Sequence, residues 1–96
     1  MLEKDIERKL ILEVKKMGGL ALKFVSPGFD GMPDRLVLLP NGKQAFVECK
    51  APGKTLRPLQ EKRKSQLESL GSLVFCLDGA EQIQPLLSEV MRGSES

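Results

Sequence analysis

The sequence predicts an α/β fold in which a mixed four-stranded sheet is flanked by helices, with the elements in the order αβββαβα. An apolar stripe at helical spacing opens the chain, three short strand-like runs separated by Gly- and Pro-rich turns follow, and a helix–strand–helix pattern closes it.

Leu2, Ile6, Leu10, Val14 and Met17 recur at helical spacing, and Gly18-Gly19 ends the run. Residues 20–25 read as a strand. Two Gly and two Pro between Ser26 and Pro33 then forbid regular structure and indicate a shaped loop. Residues 35–39 and 44–50 are strand-like and are joined through Pro40-Asn41-Gly42-Lys43, a hairpin signal. A second loop, residues 51–57, leads to Pro58, which suits the first turn of a helix running to Leu70, with Gly71 as its C-terminal cap. Residues 72–77 form the expected fourth strand. Asp78 with Glu81 suggests a capping box for a last helix, which Pro85 is expected to kink or divide.

The 96 residues, 41% of them hydrophobic, suit one domain over 1–92, followed by a disordered tail over 93–96. With four Phe and no Trp or Tyr, the chain has little aromatic surface on which to stack single-stranded bases. The two cysteines, Cys49 and Cys76, lie in separate apolar runs and read as reduced, buried thiols. The charged N-terminus does not read as a signal peptide, and no apolar run approaches the ~20 residues of a membrane span. A cytoplasmic protein is expected.

The net charge of +2 is unevenly spread: residues 43–64 carry seven basic side chains against two acids. A patch of this kind attracts phosphate backbones, although a solvated helix face gives similar counts.

Pro33-Asp34 and Glu48-Cys49-Lys50 are the candidates to carry chemistry, although an acid, a lysine and a second acid on a hairpin also suit a solvated face with cross-strand ion pairs. In a regular hairpin turning at Asn41-Gly42, Asp34 and Glu48 face each other near the open end. Two facing carboxylates repel unless a cation or proton is shared between them, and hard oxygen ligands suit a divalent metal. Lys50, two residues from Glu48, points to the same face, where it can meet a water or phosphate. Cys49 points to the other face, but its backbone carbonyl remains a hard ligand. Glu7 borders the core-facing stripe of the first helix and is a candidate third acid, with Glu3 the competing choice and a plain surface acid the alternative to both. Gln60, in the first turn of the second helix, reads first as an exposed helix-former, and alternatively as a side chain that orients a water or donates to phosphate.

Gly31-Met32-Pro33-Asp34-Arg35, Phe46-Val47-Glu48-Cys49-Lys50, Leu59-Gln60 and Leu70-Gly71, in that order, resemble the VRR-NUC domain of the PD-(D/E)xK nucleases. The resemblance runs from Glu7 to about Asp78 and implies a restriction-endonuclease-like core. It further implies a stand-alone phage- or prophage-type member, an Mg2+- or Mn2+-dependent DNA endonuclease. Asp34, Glu48, Glu7 and the Cys49 carbonyl would be metal ligands, Lys50 would position the attacking water, and Gln60 would be the family's helix-borne glutamine. Arg35, Lys54, Arg57, Lys62 and Arg63 are the expected DNA contacts. Cys49 departs from the usual aliphatic residue at its position. Stand-alone relatives of this kind are expected to be homodimers that act on branched DNA in the manner of Holliday-junction resolvases. The competing readings are a non-catalytic DNA-binding module of the same fold and a sequence-specific restriction-type endonuclease.

Overall fold

A computed structural model describes residues 1–93. Its elements are α1 (Glu3–Lys16), β1 (Leu20–Lys23), β2 (Arg35–Leu39), β3 (Lys43–Cys49), α2 (Pro58–Ser69), β4 (Val74–Leu77) and α3 (Ile83–Arg92). The four strands form one sheet in the order β1-β2-β3-β4, antiparallel except for the parallel β3–β4 pair. The expected mixed sheet with flanking helices is the architecture found. Residues 94–96 of the expected tail lie outside the described residues, and Gly93 caps α3.

The alternation of β2 and β3 divides the sheet into two unlike faces. Val37, Leu39, Ala45, Val47 and Cys49 point to one face and are buried there against Ile6, Leu10 and Val14 of α1 and Ile83, Leu86, Leu87 and Val90 of α3. Each such aliphatic side chain removed from water contributes about 1.5–3 kcal/mol, so this layer holds the fold. The other face carries Glu48 and is covered in part by α2, whose one buried side chain is Gln60. On that face Leu20 and Leu22 of β1 remain 58% and 43% exposed.

Several element boundaries differ from expectation. The strand expected over 20–25 ends at Lys23, although the Phe24 N–H still donates to the Asp34 carbonyl. The strand expected over 44–50 spans 43–49, because Lys43 already pairs with Leu39. Asn41 and Gly42 make the turn with φ of 67° and 73°, left-handed values that an Asn-Gly pair adopts at low steric cost. The helix expected to reach Leu70 ends at Ser69. The Gly71 and Ser72 amides bond back to the Glu68 and Leu67 carbonyls in a Schellman closure, which delays β4 to Val74.

The Asp78–Glu81 capping box does not form. A 3-10 turn over Ala80–Gln82 intervenes, and Gln82 takes the partner role: Asp78 N–H donates to its Oε1 at 3.0 Å and its Nε2 donates to Asp78 Oδ1 at 2.6 Å. Pro85 is the third residue of α3, where an absent N–H breaks no intrahelical bond, so α3 runs on through it to Arg92.

Candidate active site

Asp34 and Glu48 occupy opposed positions at the open end of the β2–β3 hairpin. The register pairs Arg35 with Val47, and one step outward it sets Asp34 against Glu48. The even residues of β3 turn their amides to β4, as Phe46 and Lys50 do, so 34 and 48 form a non-hydrogen-bonded pair, whose side chains lie closest. Next along is Pro33, facing Cys49. Proline has no N–H, so it cannot continue the ladder to the Cys49 carbonyl. The Cys49 N–H is taken instead by Asp34 Oδ1 at 3.1 Å, which anchors the carboxylate at the sheet end.

The loop before Asp34 is held from α2. Arg63 stacks its guanidinium 3.8 Å from the Phe29 ring centroid and donates from Nε to the Asp30 carbonyl at 2.7 Å. Gly31 lies against Leu59 with φ of 88°, and a Cβ there would come within 2.7 Å of Leu59 Cγ. Only glycine fits this position.

Glu48 is buried, at 8% exposure, and the Asp34 backbone, Gln60 and Lys50 all reach its carboxylate. Gln60 Nε2 donates to its Oε2 at 3.1 Å, and Lys50 Nζ lies 3.6 Å from the same oxygen. Gln60 Oε1 accepts from the Arg57 N–H at 2.9 Å, so one amide both caps α2 and orients the acid. Glutamine three residues after the helix N-cap is a capping signature, and this was the sequence signal for its orientation.

From the other side, α1 brings Glu7. A carboxylate oxygen of Glu7, one of Asp34 and Cys49 Sγ all lie within 4.8 Å of one another. Glu3, the alternative third acid, is exposed and outside this cluster. Arg35 Nε approaches Glu7 Oε2 at 3.4 Å, within ion-pair range but without hydrogen-bond alignment, so this buried N–H has no hydrogen-bond partner.

Electrostatics follow from this crowding. The Asp34 carboxyl is pushed above its ordinary range, first by burial and then by Glu7, with the Cys49 N–H opposing. Glu48 is likewise pushed up by burial and then by Asp34, while Lys50 pulls it down. Burial also raises the Cys49 thiol, and Asp34 and Glu7 raise it further. A half-buried cluster of acids that resist ionising together fits a divalent cation, whose charge removes the repulsion. The oxygens on offer are those of Asp34, Glu48, Glu7 and the Cys49 carbonyl, a hard donor set.

The expected DNA contacts separate into two groups. Lys54, Arg57 and Lys62 are exposed and make none of the side-chain ion pairs among the described residues. Arg35 and Arg63 are turned to the protein. Arg35 donates to the Ala21 carbonyl at 3.2 Å besides facing Glu7, and Arg63 clamps the Phe29–Asp30 loop. Lys64 pairs with Glu68 at 2.9 Å. The loop clamp was not legible in sequence, because Phe29 and Arg63 lie far apart along the chain. Cys49 and Cys76 are free and project from opposite faces of neighbouring strands; Cys49 is buried as expected, whereas Cys76, on the face that α2 covers only in part, is half-buried.

No family model matches the sequence. The chain is 57% identical over 76 residues to "Putative nuclease p44" of Acyrthosiphon pisum secondary endosymbiont phage 1, which covers 79% of this chain and 82% of that protein. A solved structure described as "VRR_NUC domain" superposes with a TM-score of 0.83 at 29% identity, over 90% of this chain and 94% of the other. The αβββαβα order, the mixed sheet and these two likenesses agree, and the chain belongs to the VRR-NUC family.

Proposed function

We propose that this chain, a nuclease of the VRR-NUC type, is an Mg2+- or Mn2+-dependent DNA endonuclease that hydrolyses phosphodiester bonds, selectively in branched DNA. The observation that carries the reading is the meeting of Asp34, Glu48 and Lys50 at one strand end, with Glu48 held by Gln60 and Glu7 beside Asp34.

Asp34, Glu48 and the Cys49 carbonyl hold the cation in this reading, and Glu7 completes the acid set. The bound cation supplies Lewis-acid neutralisation of phosphate charge and a more acidic water. Lys50 is the catalytic cation of the chain itself. From 3.6 Å beyond Glu48 Oε2 its ammonium orients the attacking water and meets the negative charge that grows on phosphorus-bound oxygen. Gln60 is a positioning residue, fixing the Glu48 rotamer through a hydrogen bond that both partners need when buried. Lys54, Arg57 and Lys62, with the N-terminus of α2, take the phosphate backbone. Because these contacts are to phosphate, they favour DNA shape over base sequence.

A homodimer places two such sites on one branched duplex. The exposed Leu20 and Leu22 face of β1 supports association with a second copy. No helix among the described residues is long and apolar enough to cross a membrane, and we place the protein's action in the cytoplasm of a bacterial or phage-infected cell.

The test is purified protein with Mg2+ or Mn2+ on four-way junctions, flaps, linear duplex and single strands in parallel. Paired symmetric cuts in the junction, lost in Lys50→Ala and Asp34→Asn and on chelation, are the expected result. Folded wild-type protein that cuts none of them, or cuts equally well in chelator, overturns the reading.

A further inference from the structure

We propose that Glu7, Asp34 and the Cys49 thiol form a second, mutually exclusive cation site that selects Zn2+ over Mg2+. The three ligand atoms already lie within 4.8 Å of one another. A tetrahedral zinc with bonds of ~2.3 Å to sulfur and ~2.0–2.2 Å to oxygen needs edges of about 3.6 Å, so a contraction of at most about 1 Å closes the site. The second observation is the thiol itself. Cys49 is 1% exposed, its side chain makes no hydrogen bond among the described residues, and at the edge of the aliphatic core its sulfur lies beside two carboxylates.

Ligand chemistry decides which ion enters. Mg2+ demands oxygen ligands in octahedral geometry and gains nothing from sulfur, whereas Zn2+ takes thiolate and carboxylate together. On binding, the Cys49 S–H bond breaks, a sulfur–zinc bond forms and the proton leaves to solvent. Glu7 gives up its approach to Arg35 Nε, which is not aligned as a hydrogen bond and is therefore a weak competitor.

Asp34 and Glu7 belong to both ligand sets, and the Cys49 thiol is what the second set adds. Drawn to the α1 side by zinc, the Asp34 carboxylate releases the Cys49 N–H and is withdrawn from Glu48, so Zn2+ displaces the hard cation and stops cleavage. The binding step is independent of hydrolysis. Only the inhibition rests on the nuclease reading above.

Co2+ is the spectroscopic probe. Titrated into metal-free protein, it is expected to produce a thiolate-to-cobalt charge-transfer band that saturates at one ion per chain and is bleached by Zn2+. Cys49→Val abolishes the band, Cys76→Ser keeps it, and Glu7→Gln weakens cobalt affinity by tenfold or more. Circular dichroism verifies the fold of each variant. Absence of the band in folded wild-type protein, its persistence in Cys49→Val, or an unchanged affinity in Glu7→Gln overturns the proposal. If the band forms but Mg2+ never supports cleavage, the thiol site stands and the nuclease reading falls; cleavage without a band gives the reverse.

Discussion

Gln60 spans two structural tasks: its Nε2 donates to Glu48 Oε2 at 3.1 Å while its Oε1 accepts the Arg57 N–H at 2.9 Å. The start of α2 and the orientation of a buried acid are thereby joined through one side chain. Gln60→Ala should cost about 1–2 kcal/mol of stability, since it removes a cap and leaves a buried carboxylate with one donor fewer. It should also lower cleavage at limiting Mg2+ more than at saturating Mg2+. Urea unfolding and metal-dependent rates check both, and an unchanged metal dependence would remove Gln60 from the site.

Asp34 weakens the metal-free fold. Its carboxyl is raised, so the folded state binds the proton more tightly than the unfolded chain. Its contribution is therefore most favourable at acid pH and declines as pH rises through the folded value. Asp34→Asn keeps an oxygen for the Cys49 N–H and removes the charge. The variant should melt above metal-free wild type near neutrality, and the gap should close as pH falls toward the ordinary value of 3.8. Melting curves across pH without metal measure this, and a gap that widens in acid contradicts it. Mn2+ should stabilise wild type and leave the variant nearly unmoved.

Lys50 has two electrostatic duties in the proposed reaction. Its removal in Lys50→Ala is expected to cut the cleavage rate by about 10²–10³, the cost of losing one preorganised donor to developing charge. Because Lys50 also lowers the Glu48 carboxyl, the same variant should need a higher pH to bind Mn2+. Calorimetric titration at several pH values separates the two effects.

Arg63 and Lys62 are adjacent in sequence and should behave differently. Arg63→Ala loses the 3.8 Å stack on Phe29 and the bond to the Asp30 carbonyl, and should destabilise the protein by about 1 kcal/mol. Lys62→Ala should leave stability unchanged and reduce the salt dependence of DNA binding by about one phosphate contact. Denaturant midpoints and binding across salt concentrations distinguish them. The reverse pattern would return Arg63 to the DNA surface.

Gly31 is the steric test of the loop. Gly31→Ala sets a Cβ 2.7 Å from Leu59 Cγ at a φ of 88°, and should cost about 1–3 kcal/mol with a loss of cleavage from the displaced Asp34. Wild-type melting together with wild-type cleavage would show that the loop yields freely.

How much of this was legible in the sequence depends on the range of each signal. The Asn41-Gly42 turn, the Pro58 helix start and the alternation of Phe46 to Lys50 are local, and each element they predict is present. Boundaries were less legible. β4 begins late because the Ser72 N–H is consumed by the closure of α2, and Asp78 bonds Gln82 because a 3-10 turn precedes α3.

The sequence by itself determined the β2–β3 hairpin, the opposed places of Asp34 and Glu48, and the shared face of Glu48 and Lys50, because a strand of period two and one turn fix these within a short stretch of chain. Only the tertiary structure decided that Glu7 and not Glu3 reaches Asp34, that Gln60 holds Glu48, and that Arg35 and Arg63 serve the protein's interior and loop. Those outcomes depend on how α1 and α2 pack across the sheet. Packing is settled by the burial of whole faces, Ile6, Leu10 and Val14 on one side and Gln60 on the other, which no local spacing records.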